Sequence, residues 1–220
     1  MQCIKDTIKN INIVIGCSIG CSYCYARMNN NRFHTIDDFN KPVFFENKLK
    51  MLDNKRNTAY LLTGQSDLSG WNEEWKDKVF SKMKENENTQ YIFLTKRPEN
   101  IKLKETPDNG WFGVTVTSSK EKTRIDYLRN NIKAKHYHIT FEPMFDDVGK
   151  LDLNNISWIV IGTETGNRKG KISSKREWVF NIYNQAKEKN IPVFMKEDLL
   201  GILNEDEFVQ EFPKEFGGIE

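Results

Sequence analysis

Three of the chain's four cysteines, Cys17, Cys21 and Cys24, fall in one short window spaced C-x3-C-x2-C, with Tyr23 just before the third. Thiolates gathered this closely bind soft metals or iron–sulfur clusters. Three ligands hold a four-iron cluster while leaving one iron open to a substrate or cofactor. A structural zinc site asks for four ligands, commonly two C-x2-C or Cys/His pairs separated by a longer loop. Here the fourth would have to come from Cys3 or His34, and the sequence holds no second paired half. A disulfide framework fits less well, because three neighbouring cysteines cannot all pair with one another.

Such a loop needs a scaffold, and the 220 residues are enough for one sizeable core. We expect a single domain over residues 1–220, with the cysteine loop at 17–24. Hydrophobic content of 38% and charged content of 29% describe a core with a polar exterior. No apolar run approaches the roughly 18 residues of a membrane span, and the first ten residues lack a signal-peptide core. The expected compartment is the reducing cytoplasm, where free thiols persist. A net charge of +2 gives no bulk electrostatic case for gripping long nucleic acid.

Short apolar, β-rich runs lie at residues 11–15, 60–63, 91–95, 112–116, 137–141, 159–161 and 192–195. Longer amphipathic segments separate them. Residues 72–85 place Trp75, Val79 and Met83 on one helical face, and residues 175–189 do the same with Trp178, Ile182 and Ala186. Strands apolar on both faces and joined by helices predict a parallel sheet covered by helices. A full eight-unit barrel takes about 250 residues, so the expectation is a partial (β/α) TIM-like barrel of about six to seven parallel strands. A doubly wound sheet is the alternative, but no G-x-G-x-x-G opens the first helix. The stretch from Leu199 to Glu220 reads as a short helix closing the barrel. Of His136 and His138, one is expected to face the core and the other a helix, and Trp111 and Trp158 are expected to pack.

In such folds chemistry gathers at the C-terminal ends of strands. Reading each run forward gives Thr63-Gly64-Gln65-Ser66-Asp67, Thr95-Lys96-Arg97, Thr115-Val116-Thr117, Glu142-Pro143, Gly162-Thr163-Glu164-Thr165 and Lys196-Glu197. Part of this polarity follows simply from strands ending at solvent. Asp67 or Ser69 also suits the N-cap of the helix at 72–85, and Thr115 and Thr117 suit a strand for their β-branching. Lys169 and Lys171 read as a solvated face. Lys96 and Lys196 differ, since each extends an apolar strand and should meet an anion.

The cysteine loop, Leu94-Thr95-Lys96-Arg97-Pro98, Trp111-Phe112-Gly113-Val114, Phe141-Glu142-Pro143, residues 158–166 and residues 193–196 together resemble a compact, phage-type branch of the radical S-adenosylmethionine (SAM) superfamily. The likeness runs from about Ile11 to Lys196. It implies that Cys17, Cys21 and Cys24 hold a 4Fe–4S cluster, with SAM on the open iron. It places Tyr23, Gly64, Ser66, Asp67, Thr115, Thr117, Gly162 and Thr163 around SAM, although Thr163 stands where the family pattern has a second glycine. Gln65, Lys96, Arg97, Glu142, Glu164 and Lys196 are the implied substrate contacts, and Cys3 has hydrogen-atom donation as an alternative to packing. The implied reaction is reductive cleavage of SAM to a 5′-deoxyadenosyl radical, fed by an electron donor such as flavodoxin or ferredoxin. Within the branch it further implies a lyase that cleaves the base–ribose bond of a queuosine 5′-phosphate-type nucleotide and releases queuine for salvage. Modification of a nucleic-acid base or peptide is the alternative enzyme reading, and a zinc-stabilised binding module without catalysis is the other class.

Overall fold

Six of the seven apolar runs become strands of one sheet, and amphipathic segments between them fold back as helices. The structure, a computed structural model, describes residues 2–53 and 59–217. In chain order its elements are α1 (Ile4–Thr7), β1 (Ile8–Asn10), β2 (Val14–Ile15), α2 (Tyr25–Phe33), β3 (Val43–Phe44), β4 (Ala59–Leu61) and α3 (Glu73–Lys84). There follow β5 (Gln90–Thr95), β6 (Gly110–Thr115), α4 (Thr123–Asn131), β7 (His136–Phe141), β8 (Ile156–Ile161), α5 (Arg176–Glu188) and β9 (Val193–Met195). Seven strands pair in parallel in the order β1-β4-β5-β6-β7-β8-β9 and curl into a half-barrel, as the partial-barrel expectation requires.

The outer face of the sheet carries Phe93, Phe112, Ile139, Ile159 and Val193. Against it pack Val79 and Met83 of α3, Ile125 and Leu128 of α4, and Val179, Ile182 and Ala186 of α5. Phe93 and Phe112 stack at 4.9 Å, and Phe80 meets both edge-on at 5.9 Å. Burying each such side chain contributes roughly 1.5–3 kcal/mol. Asn72 caps α3, its side chain accepting from the Trp75 N–H at 2.9 Å. The expected caps do other work: Asp67 caps a short 3₁₀ turn, Leu68–Gly70, by accepting from the Ser69 N–H. Asn72 stands directly before the first helical residue, where its oxygen reaches the free N–H groups.

The inner face is filled at its N-terminal end by aromatic side chains. Trp111 stacks on His136 at 4.2 Å, and Phe216 meets Trp111 and Trp158 at 4.7 and 5.2 Å. Both indole N–H groups are satisfied, Trp111 by Gln90 Oε1 at 2.9 Å and Trp158 by the Glu211 carbonyl at 3.1 Å. His138 lies on this same face, not opposite His136, because residues two apart on a strand share a side. Its ring lies across Gly113, its partner on β6, where no side chain intervenes.

Burial drives the His138 pKa down to about 4, although Nε2 faces the Phe93 carbonyl at 3.0 Å. The unfolded chain takes up this proton near pH 6.5 and the native state refuses it until about pH 4. Stability is therefore independent of this group above pH 6.5 and falls as pH drops through the window, by up to about 3 kcal/mol. Chemical denaturation from pH 7 to 4.5 should show a shallower decline for His138→Asn than for the wild type. Equal slopes would remove His138 from the acid response.

Two segments depart from expectation. The first strand of the barrel is β1 at Ile8–Asn10, whereas the apolar run at 11–15 crosses out of the sheet and ends in β2, which pairs antiparallel with β3. That run is apolar because Ile11, Ile13, Val14 and Ile15 are all buried in the crossing. Over its described residues, 199–217, the C-terminal segment forms no closing helix. Residues 209–211 run along the free edge of β9 (Met195 N–H to the Val209 carbonyl, Glu211 N–H to the Val193 carbonyl, both 2.8 Å), and only 3₁₀ turns surround them. An edge strand's unpaired groups reward such pairing, and Pro213 lacks the N–H a helix would need. Gln2 exchanges two hydrogen bonds with Gln210, at 2.7 and 2.8 Å, so the chain start spans from the β1 edge to the β9 edge. Among the described residues no helix is long and apolar enough to cross a membrane.

Candidate functional site

The cysteine loop is clamped before its first thiol. Gly16 takes φ +116°, and a Cβ there would sit 2.9 Å from the Pro42 backbone, so only glycine fits. Its N–H donates to the Gln65 carbonyl at 3.0 Å, and it bridges to Ser66. Cys17 N–H donates to the Phe39 carbonyl at 2.6 Å. Cys24 is the N-cap of α2, its sulfur accepting from the Arg27 N–H at 3.4 Å. Arg27 reaches back to the Cys17 carbonyl at 2.7 Å and lies 5.0 Å from the centre of the Phe39 ring. Tyr25 donates its hydroxyl proton to the Gly64 carbonyl at 2.6 Å. Loop and turn 64–67 are therefore one unit at the C-terminal rim of the half-barrel.

All three thiols are free and partly exposed. Burial pushes the Cys17 thiol up to about 11, and negative charge at Asp67, Cys21 and Cys24 adds to it. At neutral pH this sulfur stays protonated until a cation compensates its charge, which is the role a bound metal plays. Among the described residues no three His, Cys, Asp or Glu side chains converge as metal ligands. The donor set itself fits a soft metal or an iron–sulfur cluster: three thiols in one loop, none oxidised and no carboxylate among them. Beside them the buried Nε of Arg27 has no hydrogen-bond partner.

Within the turn, Asp67 is fully occupied. Its Oδ1 accepts from Ser69 N–H, Ser69 Oγ and Thr95 Oγ1 at 3.0, 2.7 and 2.6 Å, and its Oδ2 accepts from Lys96 N–H at 2.8 Å. It ties the end of β4 to the end of β5. Asp67→Asn would set an amide N–H₂ against one of these donors and should cost about 1–3 kcal/mol. A urea midpoint unchanged in Asp67→Asn would contradict this strut. Ser66 Oγ accepts from Trp71 Nε1 at 3.0 Å. A Cβ at Gly64 would approach Asn12 Oδ1 to 3.0 Å, an oxygen that is buried without a partner.

Across the rim, the ends of β7, β8 and β9 form a second group. Lys196 is ion-paired with Glu142 and lies 3.3 Å from Asp198. Burial disfavours its charge, but Glu142 and Asp198 outweigh that and hold its pKa above the usual value. Asp198 is raised by burial and by Glu142, despite Lys196. Gly162 lies against both acids: a Cβ there would stand 3.1 Å from Glu142 Cδ and 3.2 Å from Asp198 Oδ1. Thr163 N–H donates to Asp198 at 3.0 Å, while Thr163 Oγ1 pairs with Ser174. Tyr25 joins the two groups, its hydroxyl pKa raised by burial and by negative charge at Glu142 and Cys24.

The remaining sequence candidates hold local partners. Thr117 donates through N–H and hydroxyl to Glu121 at 2.8 and 2.6 Å, and the Thr115 carbonyl accepts from Arg124 at 2.7 Å. Glu164 is buried and held on both oxygens by Arg168 at 2.5 and 2.8 Å, which lowers its pKa. Gln65 contributes its carbonyl to Gly16, and Arg97 pairs with Glu99 at 3.5 Å. The Tyr23 ring meets Phe145 edge-on at 5.3 Å with the Lys96 ammonium 5.8 Å from its centre, and burial and Cys21 raise its hydroxyl pKa. Sequence reasoning passed over Tyr25, Arg27 and Asp198. Their only signal was position, one and three residues after Cys24 and two after Lys196.

Fold and site define a parallel α/β half-barrel that carries a three-thiol loop on its C-terminal rim. The chain belongs to the family described as Protein of unknown function (DUF5131), whose model matches residues 2–217. No curated protein matches it. Among solved structures it is similar to a cysteine-to-alanine mutant of spore photoproduct lyase with dinucleoside spore photoproduct, at 10% identity and a TM-score of 0.48. That match covers 81% of this chain and 60% of the other, so the chain spans about three-fifths of that protein's length. A likeness this distant concerns the course of the backbone alone.

Proposed function

We propose that the chain is a radical SAM enzyme, acting as a lyase on a nucleotide of the queuosine 5′-phosphate type. The observation that carries the reading is the three-thiol loop, docked through Gly16 and Tyr25 onto the 64–67 turn at the rim of a parallel half-barrel. Cys17, Cys21 and Cys24 would hold a 4Fe–4S cluster, which supplies one-electron cleavage of SAM. The turn at Gly64, Gln65 and Ser66 offers carbonyl and hydroxyl oxygens to an ammonium group. Gly162 and Thr163, packed beside Glu142 and Asp198, and Thr115 on the inner wall would be the neighbours of a flat adenine. A cytoplasmic flavodoxin or ferredoxin is the electron donor this chemistry calls for.

Lys196 flanked by Glu142 and Asp198 matches the edge of a guanine-type base. The ammonium donates to O6, and a carboxylate accepts from N1–H and the exocyclic amine. Lys196 thus recognises a carbonyl, its charge being already met by two acids. The aromatic plug beneath excludes water from the inner face. Anaerobic reaction with SAM, dithionite and queuosine 5′-phosphate should release queuine, read by mass spectrometry. 5′-Deoxyadenosine without queuine would discard this substrate and retain the radical class.

A further inference from the structure

We propose that a cleft outside the β5–β6 rim binds a terminal phosphate, the 5′-phosphate of a nucleotide whose base lies within the half-barrel. Its walls are Lys96 and Arg97 beyond β5, Lys120 and Glu121 between β6 and α4, and Arg124 and Tyr127 on α4, around a space of about 290 Å³. The two carboxylates on its wall are spent locally, Glu99 on Arg97 at 3.5 Å and Glu121 on Arg124 at 2.8 Å. Lys96 and Lys120 have no ion-pair partner among the described residues, and Lys120 is exposed. The uncompensated charge is thus about two, the charge of a phosphate monoester at neutral pH.

The cleft is also built in advance. Arg124 is fixed by the Thr115 carbonyl at 2.7 Å and by Glu121, so its planar fork is oriented before any ligand arrives. Glu121 is in turn held by the Thr117 N–H and hydroxyl, which gives Thr117 a positioning role. The Lys96 ammonium stands over Tyr23, inside the cysteine loop, so the cleft opens beside that loop. Tyr127, 46% exposed, adds an aromatic wall. A mononucleotide suits this site better than a polymer, since the whole chain carries only +2.

The assignment rests on the nucleotide reading only for what lies inside the barrel, and its test needs neither SAM nor reductant. Guanosine 5′-monophosphate and guanosine are titrated calorimetrically against the full-length chain. The monophosphate should bind about tenfold more tightly, with inorganic phosphate competing. That advantage should shrink to about twofold in Lys96→Ala/Lys120→Ala and persist in Lys133→Ala, an exposed lysine elsewhere. Equal binding of the two ligands, or an advantage that survives the double variant, would overturn the site. So would a single-stranded oligonucleotide that binds more tightly than the mononucleotide with a steeper salt dependence. A phosphate preference without SAM cleavage keeps the cleft and discards the radical reading; SAM cleavage without the preference does the reverse.

Discussion

Cys24→Ser should leave the fold intact and abolish both iron retention and SAM cleavage. Cys24 has two separable roles, as one of three thiols in the loop and as the N-cap of α2. Serine is among the best N-caps, so its hydroxyl takes over the Arg27 N–H and the helix start is retained. It is a poor ligand for iron in place of a thiolate. The expected outcome is an unchanged melting temperature, with iron content and 5′-deoxyadenosine formation reduced to background. Cys24→Ala should lose the cap as well and cost about 1 kcal/mol more. If Cys24→Ser retained full iron and turnover, a three-cysteine site would be untenable.

Gly113→Ala should be among the most destabilising substitutions of a single methyl in the chain. A Cβ at Gly113 would fall inside the van der Waals envelope of the His138 ring, 2.5 Å from Cδ2 and closer still to Nε2 and Cε1. His138 cannot yield, because it is buried between β6 and Trp158 and held at the Phe93 carbonyl. Overpacking of this kind costs about 2–3 kcal/mol, or roughly 5–10 °C in a chain this long. In a His138→Ala background the ring is gone and the same substitution should cost under about 1 kcal/mol, a coupling that a double-mutant cycle resolves. Equal costs in the two backgrounds would show that the clash is relieved by other means.

Much of this architecture was legible because buried parallel strands have to be apolar on both faces. Residues 91–95, 112–116 and 137–141 announced β5, β6 and β7 within one or two residues, and the period of Trp75, Val79 and Met83 announced α3. The run at 11–15 misled because apolarity reports burial and not pairing: the true first strand, Ile-Lys-Asn at 8–10, has one buried side chain. The closing helix failed because the last segment is governed by the free edge of β9, a long-range partner that no local window contains.

The site was legible in its residues and much less so in their partnerships. Gly64 and Ser66 do meet the segment that carries the cysteines, through Tyr25 and Gly16, because strand ends in a parallel sheet share one rim. Asp67, however, is spent on four donors from Ser69, Thr95 and Lys96, and Lys196 on two acids. Charge compensation of this kind depends on which loops converge, and one residue's type does not reveal it.

The most direct measurement is anaerobic. The purified chain is reconstituted with iron and sulfide, its iron content and visible absorbance are recorded, and SAM with dithionite is added. The expected result is a brown protein carrying about four irons that forms 5′-deoxyadenosine, with both properties absent when Cys17, Cys21 and Cys24 are replaced by alanine. A colourless protein that holds zinc, or a brown one that leaves SAM intact, would contradict the radical SAM reading.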